Sequence, residues 1–179
     1  LSDIVKQGKA LYVGLSNYEP ERLEEAARIL KENGTPLLVV QPVYNMLNRQ
    51  AETSGLLETA ENVGAGVVCF SPLAQGVLTD RYLKGIPDDS RAARDHFLQK
   101  NSITEHKVDI VRRLQEVAEG RGQSLAEMAL CWNLRKDKVT TVLIGASRKE
   151  QITNNVQIVN HLEFTDEELD KIEAVLGEY

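Results

Sequence analysis

The chain has 179 residues, of which 42% are hydrophobic and 27% are charged, a composition typical of a globular protein and not of a disordered one. A chain of this length hides roughly 70% of its surface on folding, so its stability requires no disulfide or metal. The 21 Lys and Arg residues are outnumbered by 27 Asp and Glu residues, giving a formal net charge of −6. This balance argues against nucleic acid as a partner, because nucleic-acid-binding proteins carry a basic face.

The cysteines and the N-terminal sequence predict where the protein resides. Cys69 and Cys131 lie in apolar runs without a CxxC pair, so we interpret them as buried hydrophobic residues in a reducing, cytoplasmic compartment. No apolar run reaches the roughly 18 residues of a membrane span, and no secretory signal is present, so we expect no membrane association. The chain begins with Leu1 and residues 1–8 resemble a helix end closed by Gly8, which predicts a start in mid-protein.

Two strand and helix units are predicted in the first third of the chain. Residues 10–15 form a short apolar run typical of a strand buried on both faces. Residues 20–30 carry the apolar spacing of an amphipathic helix, which Gly34 ends. A second strand is predicted over 37–45 and a second helix over 53–62.

The middle of the chain continues this order and then interrupts it. Residues 67–70 predict a third strand, and a polar connection runs from 71 to about 104. A connection of that length is usually functional or disordered. Helical periods then occupy 105–119 and 124–136, and the second of them begins with a capping box at Ser124.

The last part of the chain supplies one more strand. It is predicted over 139–144, with helices over 148–159 and 166–176, the latter after a capping box that begins at Thr165. No repeat and no Pro/Ser linker is found, so we expect a single domain over residues 1–179.

Four buried strands, each followed by helical sequence, predict a parallel sheet covered by helices. Two architectures fit this pattern: a small doubly wound sheet, or four of the eight units of a (β/α)8 barrel. A doubly wound dinucleotide fold predicts GxGxxG at the first strand-to-helix turn, and residues 14–19 do not supply it. The barrel is therefore favoured.

Polar residues follow all four predicted strands: Ser16 with Asn17, Gln41 with Asn45, Ser71, and residues 145–147. In a barrel these strand ends share the face where ligands bind. The neutral side chains suit a carboxamide or a ribose, and Phe70 offers a surface for stacking on a flat ring. Each residue alone is equally well explained as a turn residue, and their joint occurrence favours a site.

The segment that begins at Gly145 has the features of an anion site, because it lies between a strand and the positive end of a helix. Ser147 and Arg148 add a hydroxyl and a guanidinium suited to a phosphate. Gln151, Asn154 and Asn155 follow at helical spacing and would form one polar, uncharged face suited to a nucleotide base. The alternative is an ordinary helix start with a solvated face.

Other chemistry is weakly supported by the sequence. His96, His106 and His161 have no partner at metal-ligand spacing, so we expect surface histidines and no metal site. Neither a Gly-x-Ser-x-Gly elbow nor a Cys-His signature is present. A binding site is therefore predicted, without a catalytic acid, base or nucleophile.

Residues 8–18, 41–45, 70–76 and 144–148 resemble the second half of the aldo-keto reductases, in the same order and essentially from end to end. The chain is most similar to the bacterial glyceraldehyde 3-phosphate reductase branch, with the potassium-channel beta subunits as near relatives. The resemblance implies an NADP(H)-dependent oxidoreductase that reduces small aldehydes or ketones on a (β/α)8 TIM barrel. This chain would supply strands 5 to 8 and the C-terminal helices.

The resemblance also implies the residues that contact NADP, and these are Ser16, Asn17, Gln41, Phe70, Ser71, Pro72, Leu73, Ala74, Gly76, Arg81, Arg91, Gly145, Ser147, Arg148, Gln151, Asn154 and Asn155. The first three would hold the nicotinamide carboxamide, and Phe70 stands where the family often places Trp or Tyr against the nicotinamide ring. The loop after Phe70 would line the pyrophosphate. Arg148 would contact the 2′-phosphate, and Asn154 replaces an acid common in the family.

The family's catalytic Asp, Tyr, Lys and His come from strands that precede Leu1, so we expect the chain alone to be inactive. A non-catalytic, nucleotide-sensing regulatory subunit like the channel proteins is an alternative, as is a half-barrel that forms a homo-oligomer. The identity of the carbonyl substrate and the stereochemistry are beyond what the sequence indicates.

Overall fold

The computed structural model describes residues 1–93, 98–135 and 137–179. These residues form two compact units. Of the described residues, the first unit comprises 1–44, 48–70 and 137–143, and the second comprises 45–47, 71–93, 98–135 and 144–179. His96 lies outside the described residues, as does Lys136, at which the fourth predicted helix ends.

The first unit is built on a four-stranded parallel sheet, as the sequence predicts. Its strands are β1 (Val13–Ser16), β2 (Leu37–Gln41), β3 (Gly66–Cys69) and β4 (Thr141–Val142), in the spatial order β1-β2-β3-β4. Leu15 pairs with Val40, and Val40 with Val67, so these three apolar side chains lie in one row. All three are buried, and burying each one fully contributes about 1.5–3 kcal/mol.

The helices of this unit are α1 (Ser2–Lys6), α2 (Pro20–Glu32), α3 (Gln50–Thr53) and α4 (Leu56–Asn62). Helix α2 begins with Pro20 in its first turn and buries Leu23, Ala27 and Leu30, because these residues recur on one side of the helix. It contacts β2, and α4 contacts β3. The helix predicted over 53–62 is wrong at its start: Gly55 has φ 82, which separates α3 from α4.

The predicted strand lengths need correction. Leu11 and Tyr12 are 81% and 70% exposed, and the first strand begins only at Val13. The expectation of burial on both faces is wrong for β1, where buried and exposed residues alternate. Strand β2 ends at Gln41, because Pro42 has no N–H to donate to the ladder.

A glycine allows β1 and β2 to approach closely. A Cβ on Gly14 would lie 2.7 Å from Cγ2 of Val39, on the face of the sheet opposite Leu15. Any larger residue at position 14 would push the two strands apart or force the valine to move.

The second unit contains helices α5 (Glu105–Gly120), α6 (Leu125–Leu134), α7 (Lys149–Val156) and α8 (Asp166–Leu176). The capping boxes predicted at Ser124 and Thr165 are both present. Helix α6 is apolar on nearly every side, and Met128, Leu130 and Trp132 are fully buried. It is therefore the centre of this unit's core.

The connection predicted from 71 to 104 is not structureless in its described part. It contains three short 3-10 helices, Ala74–Gly76, Asp80–Tyr82 and Lys100–Ser102. The last predicted turns of helix 148–159 form another such helix, Gln157–Asn160. None of the helices in the described ranges has the length and apolar character that crossing a membrane requires.

Candidate functional site

Ser16, Asn17 and Gln41 meet at the carboxyl ends of β1 and β2. The Ser16 hydroxyl donates a hydrogen bond to the Gln41 carbonyl oxygen at 2.9 Å, and the Asn17 N–H donates to the same oxygen at 3.3 Å. Ser16 and Gln41 are also partners in the strand register. Asn17 has φ 56, a left-handed conformation that asparagine tolerates better than most residues. The polar cluster predicted here is thus brought together in the first unit.

Phe70 lies on the same face of the sheet as Ser16 and Gln41. The strand that ends just before this residue is bonded along both of its edges. On one edge the Cys69 carbonyl accepts the Leu143 N–H at 2.8 Å, and on the other edge Phe70 pairs with Val43. Successive strand residues also alternate between the two faces. Cys69 is buried with Val67, so the half-buried Phe70 ring projects from the other face.

In the second unit, the loop from Ser71 to Gly76 has a strained backbone. Four of its residues have positive φ: Ser71 (54), Ala74 (47), Gln75 (60) and Gly76 (97). A positive φ is unfavourable for residues with a Cβ and occurs often at ligand-binding sites. The N–H of Ala74 donates to the Ser71 carbonyl, and the Leu73 carbonyl accepts from the N–H of Gly76. Each of these two hydrogen bonds closes a short turn within the loop.

Two arginines, Arg81 and Arg91, follow this loop in the sequence. Their guanidinium groups lie against different residues. Arg81 forms an ion pair with Asp89 at 2.9 Å. A Cβ on Gly145 would lie 3.7 Å from Nη2 of Arg91, so that guanidinium lies over Gly145. The second unit thus brings a cation from the long connection to the segment predicted to bind an anion.

The start of α7 presents several donors to one oxygen. The N–H of Ser147 and the N–H of Arg148 donate to Oε1 of Gln151 at 2.8 and 3.1 Å, and the Ser147 hydroxyl donates to it at 3.3 Å. Arg148 and Asn154 are exposed, while Gln151 and Asn155 are half-buried. The two backbone N–H groups and the Ser147 hydroxyl at this helix start therefore converge on a single acceptor.

The buried thiols are not set up for nucleophilic chemistry. Burial raises the pKa of the Cys69 thiol to about 12 and also raises the pKa of Cys131. Both cysteines are free and buried, as the sequence predicts. His106 and His161 are exposed, and within the described ranges no three His, Cys, Asp or Glu side chains form a metal-binding group.

The sequence interpretation missed two buried residues that lie against the loop. Asn133 is a buried polar residue in the mostly apolar α6, and its side chain donates to the Pro72 carbonyl at 3.4 Å. Tyr82 is buried, and its hydroxyl accepts the N–H of Ala92 at 3.4 Å. An asparagine among the apolar residues of α6 is the signal that could have drawn attention to the first.

The fold and the clusters at the strand ends define an α/β protein with a parallel sheet, and the chain belongs to the aldo/keto reductase family, whose model matches residues 1–176. It is 50% identical over 182 residues to the L-glyceraldehyde 3-phosphate reductase of Escherichia coli (strain K12), covering 99% of this chain and 53% of that protein. The family resemblance inferred from the motifs is confirmed.

A second group of relatives carries a different description. The chain is 34% identical over 178 residues to the "Probable voltage-gated potassium channel subunit beta" of Oryza sativa subsp. japonica, covering 97% of this chain and 54% of that protein. The Arabidopsis thaliana protein of the same description is 36% identical over 180 residues, with 97% and 54% covered. The chain spans about half the length of the curated relatives it matches.

Proposed function

We propose that this chain is the cofactor-binding half of an NADP(H)-dependent reductase that converts small aldehydes or ketones to alcohols. The observation that carries the proposal is that Ser16, Gln41 and Phe70 share one face at the carboxyl end of the sheet, in a chain 50% identical to a reductase. Ligands of parallel α/β folds bind at that end of the strands.

The first unit would bind the nicotinamide. The side chains of Ser16, Asn17 and Gln41 supply neutral donors and acceptors that suit a carboxamide, and the ring of Phe70 offers a flat apolar surface for stacking. When bound, the cofactor supplies the hydride. The role of these residues is to orient its ring and to exclude water from one side of it.

The second unit would bind the phosphates and the adenosine. Its contacts would come from the loop residues Ser71, Pro72, Leu73, Ala74 and Gly76, with Arg81, Arg91 and Gly145 beside them. At the start of α7, Ser147 and Arg148 direct three donors at one oxygen of Gln151, which supports the proposal that the same donors would bind a phosphate oxygen. Asn154 and Asn155 would face the base.

The finer architecture follows from the same proposal. Residues 1–179 would form one domain that supplies strands 5 to 8 of a (β/α)8 barrel, with the proton-donating residues outside these 179. Two tyrosines of the chain are buried: the Tyr44 hydroxyl bonds to Glu52 at 3.0 Å and the Tyr82 hydroxyl accepts from Ala92. Both rings are buried, so we do not expect either hydroxyl to reach a substrate. The expected compartment is the cytoplasm.

The experiment measures nucleotide binding and turnover separately. Titration of the full-length protein with NADPH and with NADH, followed by the fluorescence of the reduced nicotinamide, should show tighter binding of NADPH. The full-length protein should oxidise NADPH in the presence of glyceraldehyde 3-phosphate or another small aldehyde, whereas the 179-residue chain should show no such activity. A full-length protein that binds neither NADPH nor NADH contradicts the proposal. Turnover by a pure 179-residue preparation contradicts it as well.

A second candidate function is a nucleotide-sensing regulatory subunit without catalysis. The observation that favours it is the 34% and 36% identity to proteins described as channel beta subunits. The two candidates differ in one readout, since a sensor binds NADPH without consuming it in the presence of a carbonyl compound. The higher identity to the reductase makes catalysis the preferred proposal.

A further inference from the structure

Two buried asparagines of the second unit hold consecutive carbonyl groups of the strained loop. Asn45, which is 2% exposed, donates from Nδ2 to the Ser71 carbonyl at 2.9 Å. Asn133, which is 1% exposed, donates from Nδ2 to the Pro72 carbonyl at the longer distance of 3.4 Å. The two donors come from segments 26 and 61 residues away from the carbonyls they hold. Neither bond is therefore a local turn contact.

The amide of Asn45 is fixed at both of its ends. Its Oδ1 accepts the N–H of Leu47 at 3.0 Å, which leaves Nδ2 directed at the Ser71 carbonyl. Ser71 has φ 54, a conformation that a residue with a Cβ adopts only when its surroundings impose it. The bond from Asn45 is the long-range contact that holds the carbonyl of this residue in place.

Asn133 is an unfavourable choice if its role is stability alone. Its Nδ2 also donates to the Ala129 carbonyl at 2.8 Å, but its Oδ1 is buried and has no hydrogen-bond partner. A buried acceptor without a partner lowers the free energy of unfolding, and asparagine is a weaker helix former than leucine. A leucine, which has the same number and branching of side-chain heavy atoms, would remove both costs and would also remove the donor to Pro72 and Ala129.

We propose that Asn45 and Asn133 are positioning residues that hold the carbonyls of Ser71 and Pro72, and thereby keep residues 71–76 in the conformation that binds the phosphates of a dinucleotide. This inference rests on the proposed function. The asparagines act through the loop backbone, because holding its carbonyls inward sets the direction in which the backbone N–H groups and the serine hydroxyl point.

The test uses Asn133→Leu and Asn45→Asp in the full-length protein. Asn133→Leu should leave the free energy of unfolding unchanged or higher, while the Kd for NADPH rises roughly three- to tenfold, the effect of one hydrogen bond. Asn45→Asp keeps the acceptor for Leu47 and loses the donor to Ser71, so the Kd should rise at least as much. In both variants the KM for NADPH should rise with little change in kcat. Met128→Leu, a volume-conserving change in the same helix, is the matched control.

The outcomes separate the inference from the proposed function. If Asn133→Leu lowers stability and leaves the Kd and KM for NADPH unchanged, the asparagine is merely structural and the inference is overturned. If both asparagine variants bind NADPH with the Kd of the wild type, the inference is also overturned. If the wild-type protein binds no dinucleotide, the proposed function fails and takes the inference with it. Faster amide hydrogen exchange at residues 71–76 in the ligand-free variants supports the tethering.

Discussion

The loop of residues 71–76 and the segment of residues 145–155, both in the second unit, are held in opposite ways. The carbonyls of the loop are bound by asparagines that are almost fully buried. Helix α7, which forms most of the other segment, contains no buried residue. The donors at its start are satisfied by Gln151, a residue of the same helix.

This difference separates two kinds of ligand contact. A loop tied to the core is already in its binding conformation, so a substitution behind it should change the affinity for a ligand that the substituted residue does not touch, and a substitution that removes packing there should also lower stability. A segment whose contacts are local and exposed should tolerate substitution, and changes there should affect only the ligand. Substitutions in the two segments test this separation.

Tyr82→Ala should lower the free energy of unfolding by about 3–5 kcal/mol, the range for a buried aromatic residue replaced by alanine. Tyr82 is buried, and its ring lies 3.9 Å from where a Cβ on Gly76 would stand. Urea unfolding measures the change. Tyr82→Phe is the control and should cost only about 0.5–1.5 kcal/mol, because it removes the hydrogen bond to Ala92 and keeps the ring. An alanine variant as stable as the phenylalanine variant would show that Tyr82 is not tightly packed against the loop of residues 71–76.

Gly76→Ala should lower the free energy of unfolding by about 1–3 kcal/mol, because Gly76 has φ 97 and a residue with a Cβ is strained there. The cost comes from the backbone, since the nearest neighbour of an added Cβ lies at an ordinary 3.9 Å. Gly120→Ala is the matched control. Gly120 lies at the end of α5 with open space around it, so alanine should stabilise by about 0.5–1 kcal/mol. Equal changes in the free energy of unfolding in the two variants would contradict the backbone strain at Gly76.

Arg148→Ala should weaken NADPH binding by roughly tenfold, the lower part of the range for a charged hydrogen bond at an exposed position, and leave NADH binding almost unchanged. The free energy of unfolding should stay within about 0.5 kcal/mol of the wild type, because Arg148 is exposed. Parallel titrations with both nucleotides measure the difference. Lys149→Ala, at the neighbouring exposed position, is the control. Equal losses of affinity for NADPH and NADH would show that Arg148 does not contact the 2′-phosphate.

The elements that the sequence predicts well are those with local signals. The capping boxes at Ser124 and Thr165 mark helix starts because each needs only four consecutive residues. The parallel sheet follows from apolar runs that alternate with helices. Two of the errors occur where one residue interrupts a period, as Gly55 does in the second predicted helix and Pro42 at the end of β2.

The candidate site is predictable only in part, for a different reason. Gln151 lies in the first turn of α7 and Ser147 lies two residues before that helix begins, so their proximity follows from the local geometry of a helix start. The left-handed Ser71 does not follow from its neighbours in sequence. It depends on Asn45, 26 residues earlier, and no local pattern reports a contact of that separation.

The smallest effect concerns Phe70, the residue that immediately precedes the tethered loop. Phe70→Ala should weaken NADPH binding by roughly two- to tenfold beyond the loss of contact area, the range for an aromatic pair. Its cost in stability should be well below the about 3–5 kcal/mol of a fully buried ring, because Phe70 is only half-buried. Nicotinamide fluorescence and urea unfolding give the two quantities.

Two further substitutions separate stacking from packing at this position. Phe70→Leu keeps most of the apolar area without the ring, so it should lose affinity but little stability. Phe70→Trp restores a flat ring and should bind as tightly as the wild type or more tightly. A residue packed beneath the sheet would show the reverse, since tryptophan would be too large and leucine would be tolerated. Because neighbouring strand residues face opposite ways, that result would also shift the register of β3 by one residue and move Phe70 away from Ser16 and Gln41.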